Sequence, residues 1–275
     1  MSLYHYTNIQ SVYSILSHQK LWLTDVRFLN DARELQEGLE TITNNLNHIQ
    51  GTVLMNFNYM DKAIDYVRGA FKGDWQSYDV DEDPLFIFSL SSKKNLLSQW
   101  RAYGNYAIEF DIEKLKEKVG NIFECRYEKK KKLLISTEHI SNAVERISVD
   151  MKNNEGNLGP QSIDALMDLI KEAATYKNEH FREEKESRII RSSDDSSYPN
   201  NVKYRHRDNM LIPFIEIDIS LDCIKSIQIG PMKDQDLSYT SLKGFVGNIV
   251  KNWQVDSSNV EYELNVEKSD IPYRE

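Results

Sequence analysis

Two glutamates and an arginine alternate along the stretch FREEKESRII, which spans residues 181–190. If this stretch is a strand, Glu184, Glu186 and Arg188 share one face within about 14 Å of backbone, because strand side chains alternate between two faces. Few structural needs call for two carboxylates beside a guanidinium, whereas several kinds of reaction do. The alternative is an exposed helix with an ion pair between Glu184 and Arg188, worth about 0.2–0.5 kcal/mol. The β-branched pair Ile189-Ile190 favours the strand.

His5 is a second candidate, in the segment LYHYT at residues 3–7. A single histidine on a strand is most often a structural residue with hydrogen-bonded ring nitrogens. Here the histidine lies at the end of a predicted strand, next to Tyr6 and Thr7. An imidazole, an aromatic ring and a hydroxyl therefore occur in three consecutive residues, which would suit a ligand site.

A third group of candidates begins in the apolar run LFIFSL at residues 85–90. Ser89 lies near the end of that run, and Trp100, Arg101 and Tyr103 follow a short polar loop. An aromatic pair beside an arginine can hold a flat heteroaromatic ring or a phosphate group. The alternative is that Trp100 and Tyr103 are core residues.

Two further segments have structural explanations that compete with functional ones. Asn30-Asp31-x-x-Glu34 is typical of a capping box, in which side chains satisfy the free N–H groups at the start of a helix. The basic run at residues 126–132 is typical of a solvated edge, although it could contact phosphate groups. The sequence contains no glycine-rich nucleotide loop and no HExxH, GxSxG or CxxC motif.

Composition narrows the classes of partner and compartment. The net charge is −9, from 34 basic and 43 acidic residues, so bulk charge gives no attraction to nucleic acid or to an anionic membrane. Cys125 and Cys223 lie far apart and in no metal-type spacing, which indicates a reducing compartment. No leader peptide and no run of 18 apolar residues is present. We therefore expect a cytoplasmic protein with no membrane partner.

The apolar patterns predict elements of both kinds in mixed order. Alternating or wholly apolar segments predict strands at residues 3–6, 21–24, 85–90, 106–110, 123–127, 184–190, 211–219, 224–229 and 260–264. Helical periodicity predicts helices that begin at Thr7 or Asn8 and at Asn30 or Asp31, and further helices over about 59–71, 96–103, 133–151, 163–177 and 237–253. The order lacks steady βαβ alternation, which predicts an α+β fold.

Several of these segments together resemble a widespread bacterial and phage-associated family of formerly unknown function. They are LYHYT, Asn30-Asp31-x-x-Glu34, Phe88-Ser89-Leu90, Gln99-Trp100-Arg101-x-Tyr103, Phe181-x-x-Glu184-x-Glu186-x-Arg188, Ile227-x-Ile229-Gly230-Pro231 and Ile271-Pro272-Tyr273-Arg274. The resemblance covers nearly the whole chain in order. That family is similar to the ADP-ribosyltransferase superfamily, whose members have a split, mixed sheet around a cleft that binds NAD. The resemblance thus implies a single ADP-ribosyltransferase-like domain over residues 1–275, with flanking helices and a helical insertion at roughly 130–180.

The resemblance also implies roles for the candidate residues. His5 matches the first motif of the superfamily, Ser89 or Tyr103 the second, and Glu184-x-Glu186 the third. Glu186 would stabilise the positive charge that develops on the ribose, and Glu184 would orient the acceptor or act as its general base.

The remaining roles concern NAD, the implied co-substrate. His5 would bind the adenosine-side ribose, Tyr103 or Tyr6 would stack on the nicotinamide, and Arg101 or Arg188 would pair with the pyrophosphate. Thr7, Ser89 and Trp100 complete the implied NAD-binding set. Tyr6 stands where relatives of the histidine type carry glycine, and Ser89-Leu90-Ser91 stands where they carry Ser-Thr-Ser.

The implied function is an NAD-dependent ADP-ribosyltransferase that acts as a toxin or anti-phage effector. Its acceptor would be a protein or a nucleic acid, and an antitoxin or regulatory protein would restrain it. An NAD glycohydrolase and a non-catalytic ligand-sensing or interaction module on the same fold are alternatives. A metal-assisted hydrolase that uses His5, Asp31, Glu184 and Glu186 is a weaker one, because the sequence has no closely spaced ligand pair.

Overall fold

The first 25 residues show how local sequence sets the elements. The strand β1 (Ser2–Thr7) ends at Asn8, whose side-chain oxygen accepts a hydrogen bond from the backbone N–H of Ser11 at 2.9 Å and so begins the helix α1 (Ile9–His18). The helix buries Val12, Ile15 and Leu16, as their spacing predicts. It ends at Gln19, which takes the left-handed conformation and turns the chain into a second strand.

A computed structural model describes residues 2–29, 33–49, 59–71, 85–192, 202–257 and 261–272. Within these residues ten strands form one sheet. The strands are β1 (Ser2–Thr7), β2 (Lys20–Asp25), β3 (Leu85–Ser91), β4 (Tyr106–Asp111), β5 (Ile122–Glu124), β6 (Glu186–Ser192), β7 (Lys203–Arg207), β8 (Met210–Asp218), β9 (Ile224–Ile229) and β10 (Asn265–Lys268). Their order is β10-β9-β4-β1-β3-β2-β8-β7, and β6 pairs with β3 and with β5, so the sheet branches at β3. The β9–β10 pair is parallel and the β1–β4 pair antiparallel, which makes the sheet mixed.

Eight helices accompany the sheet in the part of the chain that the structure describes. They are α1 (Ile9–His18), α2 (Arg33–Ile49), α3 (Met60–Ala70), α4 (Leu97–Tyr103), α5 (Ile112–Val119), α6 (Lys129–Asn153), α7 (Pro160–Ala173) and α8 (Gln235–Ser257). The fold is therefore α+β with a mixed, open sheet, as the element order predicts.

The chain divides into two compact units. The first comprises residues 1–24, 86–124 and 183–275, and contains nearly all of the sheet; the second comprises residues 25–85 and 125–182, and contains α2, α3, α6 and α7. In the second unit, helix α6 carries the buried Asp150, whose carboxylate accepts hydrogen bonds from the backbone N–H groups of Gly159 and Ser162 at the start of α7. The single-domain organisation with a helical insertion stays a prediction.

The main core of the first unit lies on one face of the sheet. Alternate strand residues supply it, for example Leu21 and Leu23 on β2 and Phe86, Phe88 and Leu90 on β3, together with residues of α1, α5 and α8. Because side chains alternate, the intervening residues of these strands face the opposite side of the sheet. On β3 and β2 that second face carries the polar residues Ser89 and Thr24.

Most apolar elements are confirmed, and the differences concern polar ones. The strand predicted over 123–127 is only Ile122–Glu124, and the final strand is Asn265–Lys268 rather than 260–264. Helix α5 and strand β7 were not predicted. The sequences of β7 (KYRHR) and β10 (NVEK) carry few apolar residues, because both strands lie at the two ends of the sheet order and bury little surface.

The expectation that Glu184 lies on the same strand as Glu186 and Arg188 is wrong. Glu184 ends a 3-10 helix (Glu179–Glu184), and Lys185 has a φ of 44°, in the left-handed region. The backbone turns there because the carbonyl of Glu184 accepts from the Ser91 hydroxyl at 2.5 Å and the carbonyl of Lys185 from the Ser92 N–H at 3.0 Å. The strand therefore begins only at Glu186.

Candidate functional site

Glu186 is held between a serine of β3 and an arginine of its own strand. The Ser89 hydroxyl donates to Glu186 Oε1 at 2.8 Å, and Arg188 Nε donates to the same oxygen at 2.6 Å. The Glu186 and Arg188 side chains are only 7% and 2% exposed. Burying either charge alone would be costly, so each compensates the other. The prediction that Glu186 and Arg188 lie on one face of a strand is confirmed.

His5 extends this group through the backbone of Ser89. Its Nδ1 lies 2.9 Å from the Ser89 carbonyl oxygen, and its ring stacks on Phe88 with centroids 4.1 Å apart. Since a carbonyl can only accept, Nδ1 carries the proton. Burial and, to a smaller extent, the positive charge of Arg205 lower the pKa of His5 to about 4, against the opposite effect of the Ser89 hydrogen bond. At neutral pH His5 is therefore uncharged and offers the lone pair of Nε2 as an acceptor.

Ser89 thus joins three sequence-distant candidates in one hydrogen-bonded chain, from His5 through Ser89 and Glu186 to Arg188. Ser89 and Glu186 are separated by 97 residues, and His5 and Ser89 by 84. The chain can fix a carboxylate, an imidazole acceptor and a hydroxyl relative to one another. Such fixed polar groups suit the stabilisation of a positive charge in a bound ligand.

The backbone of Glu184 is held at the end of β3, close to the Ser89–Glu186 hydrogen bond. Its side chain is 8% exposed, and its carbonyl is held by Ser91. The position of the Glu184 carboxylate relative to that of Glu186 is therefore set by the turn at Lys185 and not by strand alternation.

Tyr6 and Trp100 form a packed pair that holds the loop after β3. Their rings meet edge to face with centroids 4.6 Å apart. The Tyr6 hydroxyl donates to the Lys93 carbonyl at 2.7 Å and accepts from the Leu96 N–H at 2.9 Å, while the Trp100 indole donates to Asn95 at 3.1 Å. At 5% and 3% exposure, these rings are core residues, which favours the core interpretation of Trp100 over a ligand-wall role.

The other NAD-binding candidates lie around this pair. Thr7 ends β1 and is buried, whereas Arg101 and Tyr103 lie on the exposed side of α4. Trp100 and Tyr103 therefore have different environments, although they are close to one helical turn apart. The roles of Thr7, Arg101 and Tyr103 in binding a ligand stay predictions.

Arg205 on β7 belongs to the polar face but did not stand out in the sequence. One of its terminal nitrogens donates to the Thr24 hydroxyl at 2.8 Å, and its guanidinium lies 5.8 Å from the ring centre of Trp22 and 6.0 Å from that of Phe214. The alternation of basic residues in KYRHR was the signal that could have found it.

The weaker sequence candidates have structural roles or lie outside the described residues. In the second unit Arg126 pairs with Glu172 at 2.9 Å, and Lys132 donates to the Lys177 carbonyl at 2.7 Å. Several residues of the sequence motifs lie outside the described residues: Asn30, Asp31, Tyr273, Arg274 and the Glu34 side chain.

The described residues contain neither a cluster of metal ligands nor a helix suited to span a membrane. Across those ranges, no three His, Cys, Asp or Glu side chains come together in a way that could hold a metal ion. None of the described helices combines the length and apolar content that a membrane span requires.

Comparison with known families gives one match. Residues 99–189 match the family described as "Protein of unknown function (DUF2971)". The DUF2971 match runs from α4 to β6, and so includes Trp100, Glu184, Glu186 and Arg188 but neither His5 nor Ser89. Because it covers a third of the chain and the family has no described function, it adds no activity. Neither the curated proteins nor the solved structures give a match.

Proposed function

We propose that the protein is an NAD-dependent ADP-ribosyltransferase that modifies a protein or nucleic acid. The observation that carries the proposal is the hydrogen bond of 2.8 Å from Ser89 Oγ to Glu186 Oε1. His5 Nδ1 also donates a hydrogen bond to the Ser89 carbonyl oxygen. It brings a candidate from each of the three motifs of the resemblance into one site. The α+β fold with a mixed sheet that branches at β3 is compatible with the split sheet of that superfamily.

The chemistry follows from a single bond cleavage. The bond between nicotinamide and ribose breaks, nicotinamide leaves with the bonding electron pair, and the ribose carbon gains oxocarbenium character, as in glycoside hydrolysis. The Glu186 carboxylate, held in place by Ser89 and Arg188, stabilises that positive charge. A nucleophile of the acceptor then bonds to the same carbon, and its proton passes to Glu184 as general base.

His5 and the aromatic residues serve binding in this proposal. Because Nδ1 carries the proton, His5 Nε2 accepts a hydrogen bond from a ribose hydroxyl. Tyr103 is exposed on α4 and offers a ring face for the nicotinamide, which the enclosed ring of Trp100 does not. The cytoplasmic location, the toxin or anti-phage role and the restraining antitoxin rest on composition and resemblance alone.

The test is release of nicotinamide from labelled NAD, alone and with protein, RNA or DNA acceptors. Glu186→Gln should lower release by about 100- to 1,000-fold, the usual effect of removing one group that stabilises transition-state charge. Glu184→Gln should lower labelling of the acceptor more than release of nicotinamide. Glu113→Gln, an exposed carboxylate on α5, is the control and should leave both rates unchanged. Undiminished release by a folded Glu186→Gln variant would contradict the assignment.

A non-catalytic ligand-binding module is the second candidate. The near-complete enclosure of the Glu186–Arg188 pair favours it, because such a pair could serve only to hold β6 against β3. NAD binding without release of nicotinamide or labelling of any acceptor would support this candidate. Release to water with no labelling would instead indicate an NAD glycohydrolase.

A further inference from the structure

Arg205 is a half-buried cation that no described carboxylate neutralises. Its polar contact within the described residues is the neutral hydroxyl of Thr24, and its Nε is enclosed there without a hydrogen-bond partner. Taking a charge out of water is costly unless an opposite charge compensates it. A protein that keeps such a residue commonly uses it to bind an anion.

Aromatic packing fixes the guanidinium in place. Trp22 and Phe214 lie with ring centres 4.6 Å apart on the neighbouring strands β2 and β8, and Arg205 lies over both rings. These contacts hold the planar group in one orientation, so that less conformational freedom is lost when it donates two parallel hydrogen bonds.

The surroundings carry an excess of positive charge in a chain that is otherwise acidic. Glu216, on the same sheet face, accepts from Lys20 at 3.0 Å and from Lys203 at 2.8 Å, so its charge is already compensated. The strand alternation places Arg207 on the face of Arg205, and the charge of Arg207 acts on it. An anion that reaches this face is attracted rather than repelled.

The Arg205 site and the Ser89–Glu186 chain lie on one face of the first unit. Ser89 alternates with the core residues Phe88 and Leu90, and Thr24 follows the core residue Leu23, so both point away from the main core. Strands β3, β2, β8 and β7 are successive neighbours, so the strands of Ser89 and Arg205 are three inter-strand spacings, about 14 Å, apart across the sheet. The charge of Arg205 also reaches His5. One elongated ligand could contact both places.

We propose that Arg205 binds the pyrophosphate of a nucleotide, with Thr24 as a second donor and Trp22 and Phe214 as the support of the guanidinium. This inference rests on the proposed function for the identity of the ligand as NAD. It replaces Arg101 and Arg188 as pyrophosphate partners, since Arg188 is committed to Glu186 and Arg101 is exposed on α4.

The test is calorimetric titration with ADP, inorganic pyrophosphate and adenosine. Arg205→Gln should raise the Kd for ADP and for pyrophosphate by about 10- to 100-fold, as expected for loss of charge-assisted hydrogen bonds, and should leave that for adenosine unchanged. Arg205→Lys keeps the charge but not the planar donors, and should be intermediate. Lys243→Gln, an exposed cation on α8, is the control for net charge and should bind like wild type.

The outcomes separate this inference from the proposed function. ADP and pyrophosphate binding that is unaffected by Arg205→Gln, or absent from the wild type, would overturn the inference even if NAD is cleaved. Arg205-dependent binding of both ligands without any NAD cleavage would support the inference and contradict the transferase proposal. Arg205→Leu tests whether a loss of binding could come from misfolding. This variant should lose binding of ADP and pyrophosphate without a lower melting temperature, because it removes an uncompensated charge.

Discussion

At the scale of single residues, the buried Glu186–Arg188 pair links the stability of the fold to the proposed chemistry. Arg188 Nε and Glu186 Oε1 lie 2.6 Å apart and both side chains are almost fully enclosed, so each charge depends on the opposite charge of the other. Glu186 cannot be changed for a kinetic test without altering the environment of Arg188. Every kinetic comparison at this site therefore needs a measured stability beside it.

Arg188→Met should lower the free energy of unfolding by about 3–5 kcal/mol, since it leaves the Glu186 carboxylate buried without its positive partner. The double variant Glu186→Leu with Arg188→Met should lose less free energy of unfolding than Arg188→Met alone, because neither charge of this pair is left buried without the other. Urea unfolding of Arg188→Met and of the double variant measures both losses of free energy. A double variant that is less stable than Arg188→Met would show that Glu186 has compensating partners other than Arg188.

At the scale of elements, close backbone packing fixes where α4 ends against β1. Gly104 follows α4 with a φ of 127°, and a Cβ there would lie 2.6 Å from the Thr7 carbonyl oxygen. Only glycine meets both the conformational and the steric requirement at this point. The turn thereby sets the position of β1 relative to Trp100, Arg101 and Tyr103 on α4.

Gly104→Ala should destabilise the protein by about 1–3 kcal/mol, because an alanine is strained at this φ and meets backbone rather than a flexible side chain. The matched control is Gly244→Ala within α8, where no atom lies within 4 Å of the added methyl group. That change should stabilise the protein by about 0.5–1 kcal/mol through helix propensity. Thermal unfolding of the pair measures the contrast, and equal melting temperatures would contradict the packing described at Thr7.

At the scale of the whole molecule, ionisable groups make the fold sensitive to acid. In the second unit, the Ser162 hydrogen bond and the backbone N–H groups of Gly159 and Ser162 lower the pKa of Asp150. In the first unit, burial would raise the pKa of Glu216, but hydrogen bonds from Lys203 and Lys20 outweigh it and lower the pKa. Both carboxylates contribute stability that is present above their ordinary pKa and lost as pH falls through their lowered folded values.

His5 adds a loss of stability that begins at a higher pH than the loss from these carboxylates. Its pKa is about 4 in the folded protein against 6.5 in an unfolded chain, so the unfolded state binds the proton first as pH falls. Stability from His5 is complete above pH 6.5 and declines between 6.5 and 4, by up to about 1.4 kcal/mol per pH unit. Urea unfolding at about pH 7, 6 and 5, which samples the His5 window, should show this decline. His5→Asn, which has no titrating ring, should flatten the curve above pH 5; an equally steep curve would contradict the role of His5.

The sequence by itself predicted the elements with strong apolar periodicity and the strand placement of His5, Ser89 and Arg188. Local backbone preferences and burial patterns act over a few residues, so they can be read along the chain. It did not predict β7, β10 or the turn at Lys185. Edge strands carry a weak apolar signal, and that turn depends on hydrogen bonds from Ser91 and Ser92, more than 90 residues away in the chain.

Only the tertiary structure decided which of the candidates meet. It joined Ser89 to Glu186 across 97 residues, enclosed Trp100 in packing, and brought Arg205 to the face of Thr24 across 181 residues. The physical reason is that a carboxylate or guanidinium takes its chemical character from its desolvation and its partners, and both are supplied by strands distant in sequence. The sequence around Glu186 contains two carboxylates and an arginine, and the fold pairs Glu186 with that arginine and places Arg205 against Trp22 and Phe214.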